Sequence, residues 1–180
     1  MSDHRGHLPK ITVDMLRENR LFHGFADDVL QTLVRELPPR VVNPGEVLIS
    51  EGEIAPQMFV VVNGELEVLT HGVGDRADVR LALLGPGDWV GEMAILDVQP
   101  RSASVRALAP SMLLSLTAHD VARLIQDRDV AHYARLMVNI ARELGRRLRV
   151  ADRIIAQSSA SLAKQYVLES MRPPAPPKSQ

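Results

Sequence analysis

The sequence predicts an α+β chain in which a β-rich sandwich or barrel stands between an N-terminal helix and C-terminal helices. Three observations carry that prediction. From Arg40 to about Leu116, short runs rich in Val, Ile and Leu are cut by Pro-Gly, Glu-Gly, Asn-Gly, Gly-Val-Gly-Asp and Gly-Pro-Gly, the punctuation of many short strands. On both sides of that region, apolar residues recur at helical spacing. The 180 residues, 46% of them hydrophobic, suffice for one domain with a sizeable core.

Taken in order, Met1 to Lys10 mixes His, Gly, Pro and Ser and reads as a mobile lead, with residues 1–20 as an N-terminal extension. Val13 to Arg20 has the composition of a short helix. Ala26 to Leu37 is a clearer one: Val29, Leu30, Leu33, Val34 and Leu37 fall at helical spacing, Asp27 and Asp28 suit its N-terminus, and Pro38-Pro39 ends it. Within the β-rich region, Asn63-Gly64 lies between two apolar runs and reads as a hairpin, because both residues tolerate positive φ. Thr70 to Asp78 reads as a second, longer turn.

Thr117 is a candidate N-cap for a helical segment over Ala118 to Gln126. From about Val130 to Gln157 there is no Pro and a single Gly. That is about 28 residues, or about 42 Å of helix. Ser159 to Met171 reads as a further helix. Arg172 to Gln180 holds four prolines and reads as a disordered tail. The expected division is therefore 21–130 for the β-rich frame with flanking helices, 131–171 for the long helix and the one after it, and 172–180 for the tail.

Composition excludes several classes. Lys+Arg 21 against Asp+Glu 22 gives a net charge of −1, with no global pull toward nucleic acid or membrane. Without cysteine there is no disulfide, thiolate nucleophile or Cys-based metal site. No apolar run approaches the roughly 18 residues that a membrane helix needs. The N-terminus has no apolar stretch of the secretory kind, so a cytoplasmic location is the expectation.

The stretch from Gly91 to Val105 carries the chemistry. It reads Gly91-Glu92-Met93-Ala94-Ile95-Leu96-Asp97-Val98-Gln99-Pro100-Arg101-Ser102-Ala103-Ser104-Val105. A carboxylate at Glu92 can accept hydrogen bonds from sugar hydroxyls. Arg101 can pair bidentately with phosphate oxygens. Backbone N–H groups at the start of a short helix can point at the same anion. Together they suit a small ligand with both hydroxyls and a phosphate.

This stretch resembles the phosphate-binding cassette of cyclic nucleotide-binding domains, whose pattern runs roughly Gly-Glu-(Leu/Met)-Ala-x-Leu, a spacer, then Pro-Arg-(Ser/Thr/Ala)-Ala-(Ser/Thr)-Val. The resemblance extends upstream to Asn43-Pro44-Gly45-Glu46, to Glu51-Gly52-Glu53, to a central hairpin over Met58 to Val68, and to Gly85-Pro86-Gly87-Asp88. It covers about Leu21 to Ala156. It implies an antiparallel β-roll or jelly-roll, with Glu92 on the ribose 2′-hydroxyl, Arg101 on the cyclic phosphate, and Gly91, Met93, Ala94, Ser102 and Ala103 completing the ligand site.

The long helix adds a second feature. Met137, Ala141, Leu144, Leu148, Ala151, Ile155, Ser158 and Leu162 are spaced alternately by four and three, a heptad seam. The seam reads as a dimer interface or as the core-facing side of one amphipathic helix, with Leu136 and Ile140 to one side. Arg146-Arg147-Leu148-Arg149-Val150 resembles the central helix of catabolite-activator-type regulators, which forms their dimer interface and reaches the purine. Those regulators carry two small hydroxyl residues next, where this chain has Ala151 and Asp152, so their base contacts do not transfer. Asp152 reads either as an acceptor for an exocyclic amino group or as a solvated helix charge. The arginines at 135, 142, 146, 147, 149 and 153 read as a solvated or dimer-flanking face, since no aromatics interleave for base stacking.

Elsewhere the chain is plain. Six scattered histidines show no metal-ligand spacing. Ser102, Ser104 and Ser111 lack a His-Asp arrangement for nucleophilic catalysis. Trp89 reads as packing, and Leu162 and Tyr166 as packing or as caps for a purine. The expectation is a non-enzymatic, stand-alone cytoplasmic sensor of a 3′,5′-cyclic mononucleotide, cAMP ahead of cGMP, with no metal and no other cofactor. It would be a homodimer through the long helix and act on an unknown protein effector. About 23 residues follow Gln157, which leaves no room for a helix-turn-helix module and argues against direct DNA binding. The alternative is a regulatory piece of a larger channel, kinase or transcription regulator.

Overall fold

A computed structural model describes residues 10–37, 39–72, 77–97, 99–126 and 129–170, with backbone alone at 126, 162, 163 and 165–170. The expected lead before Lys10, the tail from Met171, and the side chains of Leu162 and Tyr166 lie outside the described residues. The chain divides into two units, Met1–Ile140 and Ala141–Gln180.

In the first unit, α1 (Val13–Arg17) is capped by Thr12, whose hydroxyl accepts from Met15 N–H at 3.4 Å. The expected helix to Arg20 stops three residues early. Asn19 breaks it: its side chain accepts from Leu21 N–H at 2.9 Å and starts a 3₁₀ turn over Arg20–Phe22. The second helix, α2 (Asp27–Glu36), buries Val29, Leu30 and Leu33 and carries Asp27 and Asp28 in its first turn. Arg17 joins the two helices, donating to Asp14 and to Asp27 at 2.9 Å.

The β-rich region forms two four-stranded antiparallel sheets. One contains β1 (Pro39–Val42), β8 (Ser111–Thr117), β3 (Gln57–Asn63) and β6 (Trp89–Val90), in that order. The other orders β2 (Val47–Ile49), β7 (Ser104–Ala107), β4 (Leu66–Thr70) and β5 (Val79–Leu84). Between them lies a core of Val42, Leu48, Ile49, Phe59, Val61, Leu66, Val105 and Leu113. The fold is thus an antiparallel β-roll of eight described strands with helices at both ends, as the sequence predicts.

The Asn63-Gly64 turn corrects one expectation. Strands β3 and β4 do not pair: β3 pairs with β6 and β8, and β4 with β5 and β7. The chain therefore passes from one sheet to the other at this turn. Gly64 takes φ +102°, and a Cβ there would lie 2.5 Å from Ser111 Cα. Glu65 N–H then donates to Ser111 Oγ at 3.1 Å, anchoring the crossing to β8. Burial decides the pairing. Met58, Phe59, Val60 and Val61 are all buried, so β3 needs cover on both faces. The true hairpin joins β4 to β5 across the Thr70 to Asp78 turn, with Thr70 opposite Val79.

The C-terminal helices also differ from expectation. Thr117 caps α4 (Ala118–Val121) in a reciprocal box with Asp120, whose N–H donates to the threonine hydroxyl at 3.1 Å while its carboxylate accepts from Thr117 N–H at 2.9 Å. The expected single segment then widens into a π-helical turn over Ala122–Gln126. The two expected long helices are one: α5 (Val130–Ser170) runs for 41 residues without a break at Gln157. Ser158, Ser159 and Ser161 stay helical, with Ser161 Oγ bonded back to the Gln157 carbonyl at 2.9 Å.

The first turns of α5 are fastened within the first unit. Asn139 donates from Nδ2 to the carbonyls of Leu21 (2.9 Å) and His23 (3.1 Å). His132 Nε2 accepts from Ala26 N–H at 3.0 Å, with its Nδ1 2.5 Å from Asp129 Oδ2. Leu136 and Ile140 are fully buried, so these two do face the core.

Candidate functional site

The Gly91 to Val105 stretch forms a turn, a short helix and a return into β7. Strand β6 delivers the chain to Gly91, which takes φ +80°. A Cβ at Gly91 would lie 2.8 Å from Arg101 Nη1 and 3.0 Å from the Gln57 carbonyl, so glycine is what lets the backbone and the arginine approach. Helix α3 (Met93–Leu96) follows, with Glu92 at its N-cap in helical geometry. Ala94 N–H donates to Gly91 O at 3.1 Å and Ile95 N–H to Glu92 O at 3.0 Å. The N–H groups of Ala94 and Ile95 are thus engaged inside the turn.

Arg101 is the centre of the arrangement and is 9% exposed. Its Nη1 donates to the Gly91 carbonyl at 3.2 Å, and its Nη2 donates to the Gln57 carbonyl. Its Nε–H is buried with no hydrogen-bond partner among the described residues. Burial pulls the guanidinium below its ordinary pKa, while the charges of Glu53 and Glu92 oppose that shift. An arginine so placed remains cationic at neutral pH. Glu92 is itself 4% exposed, and its carboxylate does not cap α3.

A second turn is laced to this one. Arg101 N–H donates to Glu53 O at 2.9 Å, and Gly52 N–H donates to Arg101 O at 2.8 Å. Glu51 N–H donates to Ser104 Oγ at 2.9 Å. The Glu51-Gly52-Glu53 turn thereby fixes the backbone on both sides of the arginine. Its glycine has φ +83°.

The structure brings Gly91, Glu92 and Arg101 together. Ala94 is buried, Ala103 half-buried, and Met93 and Ser102 exposed. Trp89 is 1% exposed and packs in the core. Asp152 lies on α5 in the second unit and is exposed. Sequence reasoning did not single out Gln57, Glu53 or Ser104 for a role. Gln57 acts through a main-chain carbonyl, which no side-chain pattern reveals. Glu53 and Ser104 stand inside the quoted motifs, so their position was legible though their contacts were not. A cleft of about 210 Å³ beside α1, lined by Leu16, Asn19, Val60 and Gly87 among others, takes none of the cassette residues. Among the described residues no cluster of His, Asp and Glu could hold a metal ion.

Comparison with known proteins bears on the family and the fold. The family description "Cyclic nucleotide-binding domain" matches residues 39–128. The "Cyclic AMP receptor protein" of Thermus thermophilus is 33% identical over 138 residues, covering 76% of this chain and 61% of that protein. A cyclic nucleotide-gated potassium channel of Rhizobium etli is 40% identical over 102 residues, covering 56% of this chain and 26% of the channel. The crystal structure of Thermus thermophilus catabolite activator protein superimposes with a TM-score of 0.68 at 31% identity, over 78% of this chain and 63% of that one. The chain thus spans less than two thirds of these relatives. With the β-roll, the buried arginine and the matched family description in agreement, the chain belongs to the cyclic nucleotide-binding domain family.

Proposed function

We propose that this chain is a sensor that binds a 3′,5′-cyclic mononucleotide, cAMP in preference to cGMP, in the Gly91 to Ala103 cassette. The observation that carries the reading is the buried guanidinium of Arg101, which has an N–H donor with no acceptor among the described residues. An unsatisfied buried donor on a cation is costly. A phosphate oxygen supplies both the acceptor and the opposite charge. Glu92 then accepts from the ribose 2′-hydroxyl. Met93, Ala94, Ser102 and Ala103 line the sugar-phosphate, and Asp152 is the candidate acceptor for a purine amino group. The anion, Arg101 and the nearby Glu53 and Glu92 carboxylates form a mixed cluster, so the added negative charge enters beside a cation already flanked by two acids.

The preference for cAMP takes support from the name of the Thermus relative. The protein has no catalytic role in this reading. It acts in the cytoplasm, in line with a chain whose described helices are not long and apolar enough to cross a membrane. Its output is rearrangement of α5, within a homodimer, toward a protein effector and not toward DNA. Binding shifts the helix only to the extent that the ligand contacts its two positions differently. The second reading is a regulatory portion of a larger channel, kinase or transcription regulator, favoured by the 40% identity to a channel over 102 residues.

The test is competition. Labelled cAMP bound to the full chain is displaced by cAMP, cGMP and 2′-deoxy-cAMP in turn. The reading expects cAMP to compete best, and 2′-deoxy-cAMP to compete worse by roughly tenfold, the loss of one hydrogen bond to a charged group. In a Glu92→Gln variant that gap narrows, because the amide oxygen still accepts from the hydroxyl but carries no charge. Failure of all three cyclic nucleotides to bind would dismiss the sensor.

A further inference from the structure

One histidine joins the start of α5 to the start of α2. His132 Nε2 accepts from Ala26 N–H at 3.0 Å, and its Nδ1 lies 2.5 Å from Asp129 Oδ2. The ring stands edge-on to Phe25, with centroids 5.1 Å apart, and its side chain is 15% exposed. Ala26 is the N-cap of α2, and its methyl group offers the helix no side-chain cap. In a capping box, the N-cap N–H is taken by a Glu or Gln three residues further on. Here that residue is Val29, which has no acceptor to offer. His132, 106 residues away, supplies the acceptor instead.

These partners fix the proton. A ring nitrogen that accepts from an amide must be bare, so the neutral ring carries its N–H at Nδ1, where the Asp129 carboxylate accepts it. An imidazolium carries a proton on both nitrogens. It keeps the bond to Asp129 but sets an N–H against the N–H of Ala26. Imidazole is the side chain that changes charge between pH 5 and 8. We propose that His132 is a pH-operated clasp. Neutral, it caps α2 from α5; protonated, it releases the Ala26 amide and frees the first turn of α5 from the N-terminal helices. The clasp is independent of which ligand the cassette takes.

The surrounding charges suit that role. Asp129 also accepts from Ala131 N–H at 2.8 Å on its other oxygen, so its carboxylate stays aimed at Nδ1. That amide, and then the His132 ring, hold the Asp129 carboxyl below the usual range, and it remains charged while the ring titrates. In the first turn of α2, Asp27 is engaged by Arg17 at 2.9 Å, and Asp28 is exposed. In the loop before α2, His23 is exposed, and Arg135 lies against Gly24, where a Cβ would meet its Nη1 at 2.7 Å. Asp127 and Arg128 lie outside the described residues. Seven residues along α5, Asn139 holds the carbonyls of Leu21 and His23 with an amide that does not titrate. Acid therefore frees one fastening and leaves the other in place.

Nuclear magnetic resonance of the full chain from pH 8 to pH 5 tests this, on the wild type and on His132→Gln, whose side-chain oxygen can accept in place of Nε2 without titrating. In the wild type the ring proton should sit on Nδ1 at pH 8. The Ala26 amide should then lose roughly tenfold in exchange protection, corrected for intrinsic rates, at the midpoint of the His132 ring. The Leu30 amide, bonded to the Ala26 carbonyl at 3.2 Å, should keep its protection. In His132→Gln the Ala26 amide should be equally protected at both ends of the range. A proton on Nε2 at pH 8, a ring that does not titrate in this range, or an Ala26 amide indifferent to the titration overturns the clasp, and the wild type alone decides each of these. A Gln variant that loses protection over the same range as the wild type assigns the change to another group and overturns it too.

Discussion

Arg101 Nη1 donates to the carbonyl of Gly91 at 3.2 Å, so the two ends of the cassette are held together by the residue that is proposed to take the phosphate. The bond ties ligand chemistry to backbone shape. It exists because Gly91 at φ +80° leaves room where a side chain would not fit.

Gly91→Ala is therefore expected to harm both fold and site. A non-glycine residue at positive φ costs about 1–3 kcal/mol, and the new methyl group would crowd Arg101 and the Gln57 carbonyl. Thermal melting should fall by several degrees, and cAMP affinity by more than the stability loss alone explains. A variant with unchanged melting and unchanged affinity would show that the close approach is unimportant.

The cassette was legible because its chemistry is local: a glycine, an acid and an arginine within eleven positions, each with its own reason to be there. The topology was less so. Asn63-Gly64 has a hairpin's composition, yet β3 is buried on both faces and goes to the sheet that can cover both. Pairing partners are decided by what is distant in sequence. The same holds for Gln57, whose carbonyl binds Arg101 from 44 residues away. At the other end, nothing between Gln157 and Ser170 breaks a helix, and no proline or glycine marks the expected boundary there.

The cap at Thr117 gives a stability test remote from the site. Thr117→Ala removes a hydroxyl that accepts from Asp120 N–H at 3.1 Å and donates to its carboxylate at 2.7 Å. The loss should be about 1 kcal/mol, or roughly 2–4 °C in melting for a chain of this size, with ligand affinity unaltered. Calorimetry of the two proteins measures it.

His71 gives a test by pH. Its Nδ1 lies 3.1 Å from Asp78 Oδ1, and the hydrogen bond to Asp78, followed by the charges of Glu51 and Asp78, raises its pKa above the ordinary histidine value. A raised folded-state value means that the stabilisation is fully present below the unfolded pKa and is lost as pH rises through the folded one. The His71 ring resonances should titrate at a higher pH than in Asp78→Asn. Identical midpoints in the two proteins would show that the contact is not formed in solution.

The central claim is that Arg101 holds the phosphate of a cyclic nucleotide. Calorimetric titration of cAMP into wild type, Arg101→Lys and Arg101→Ala tests it most directly, with melting curves to show that all three fold. A hydrogen bond between charged groups contributes roughly 1.5–3 kcal/mol. The account predicts a fall of about 10- to 100-fold or more in Arg101→Ala and a smaller one in Arg101→Lys, which keeps the charge but loses the fork. Equal affinity in wild type and a folded Arg101→Ala would contradict it.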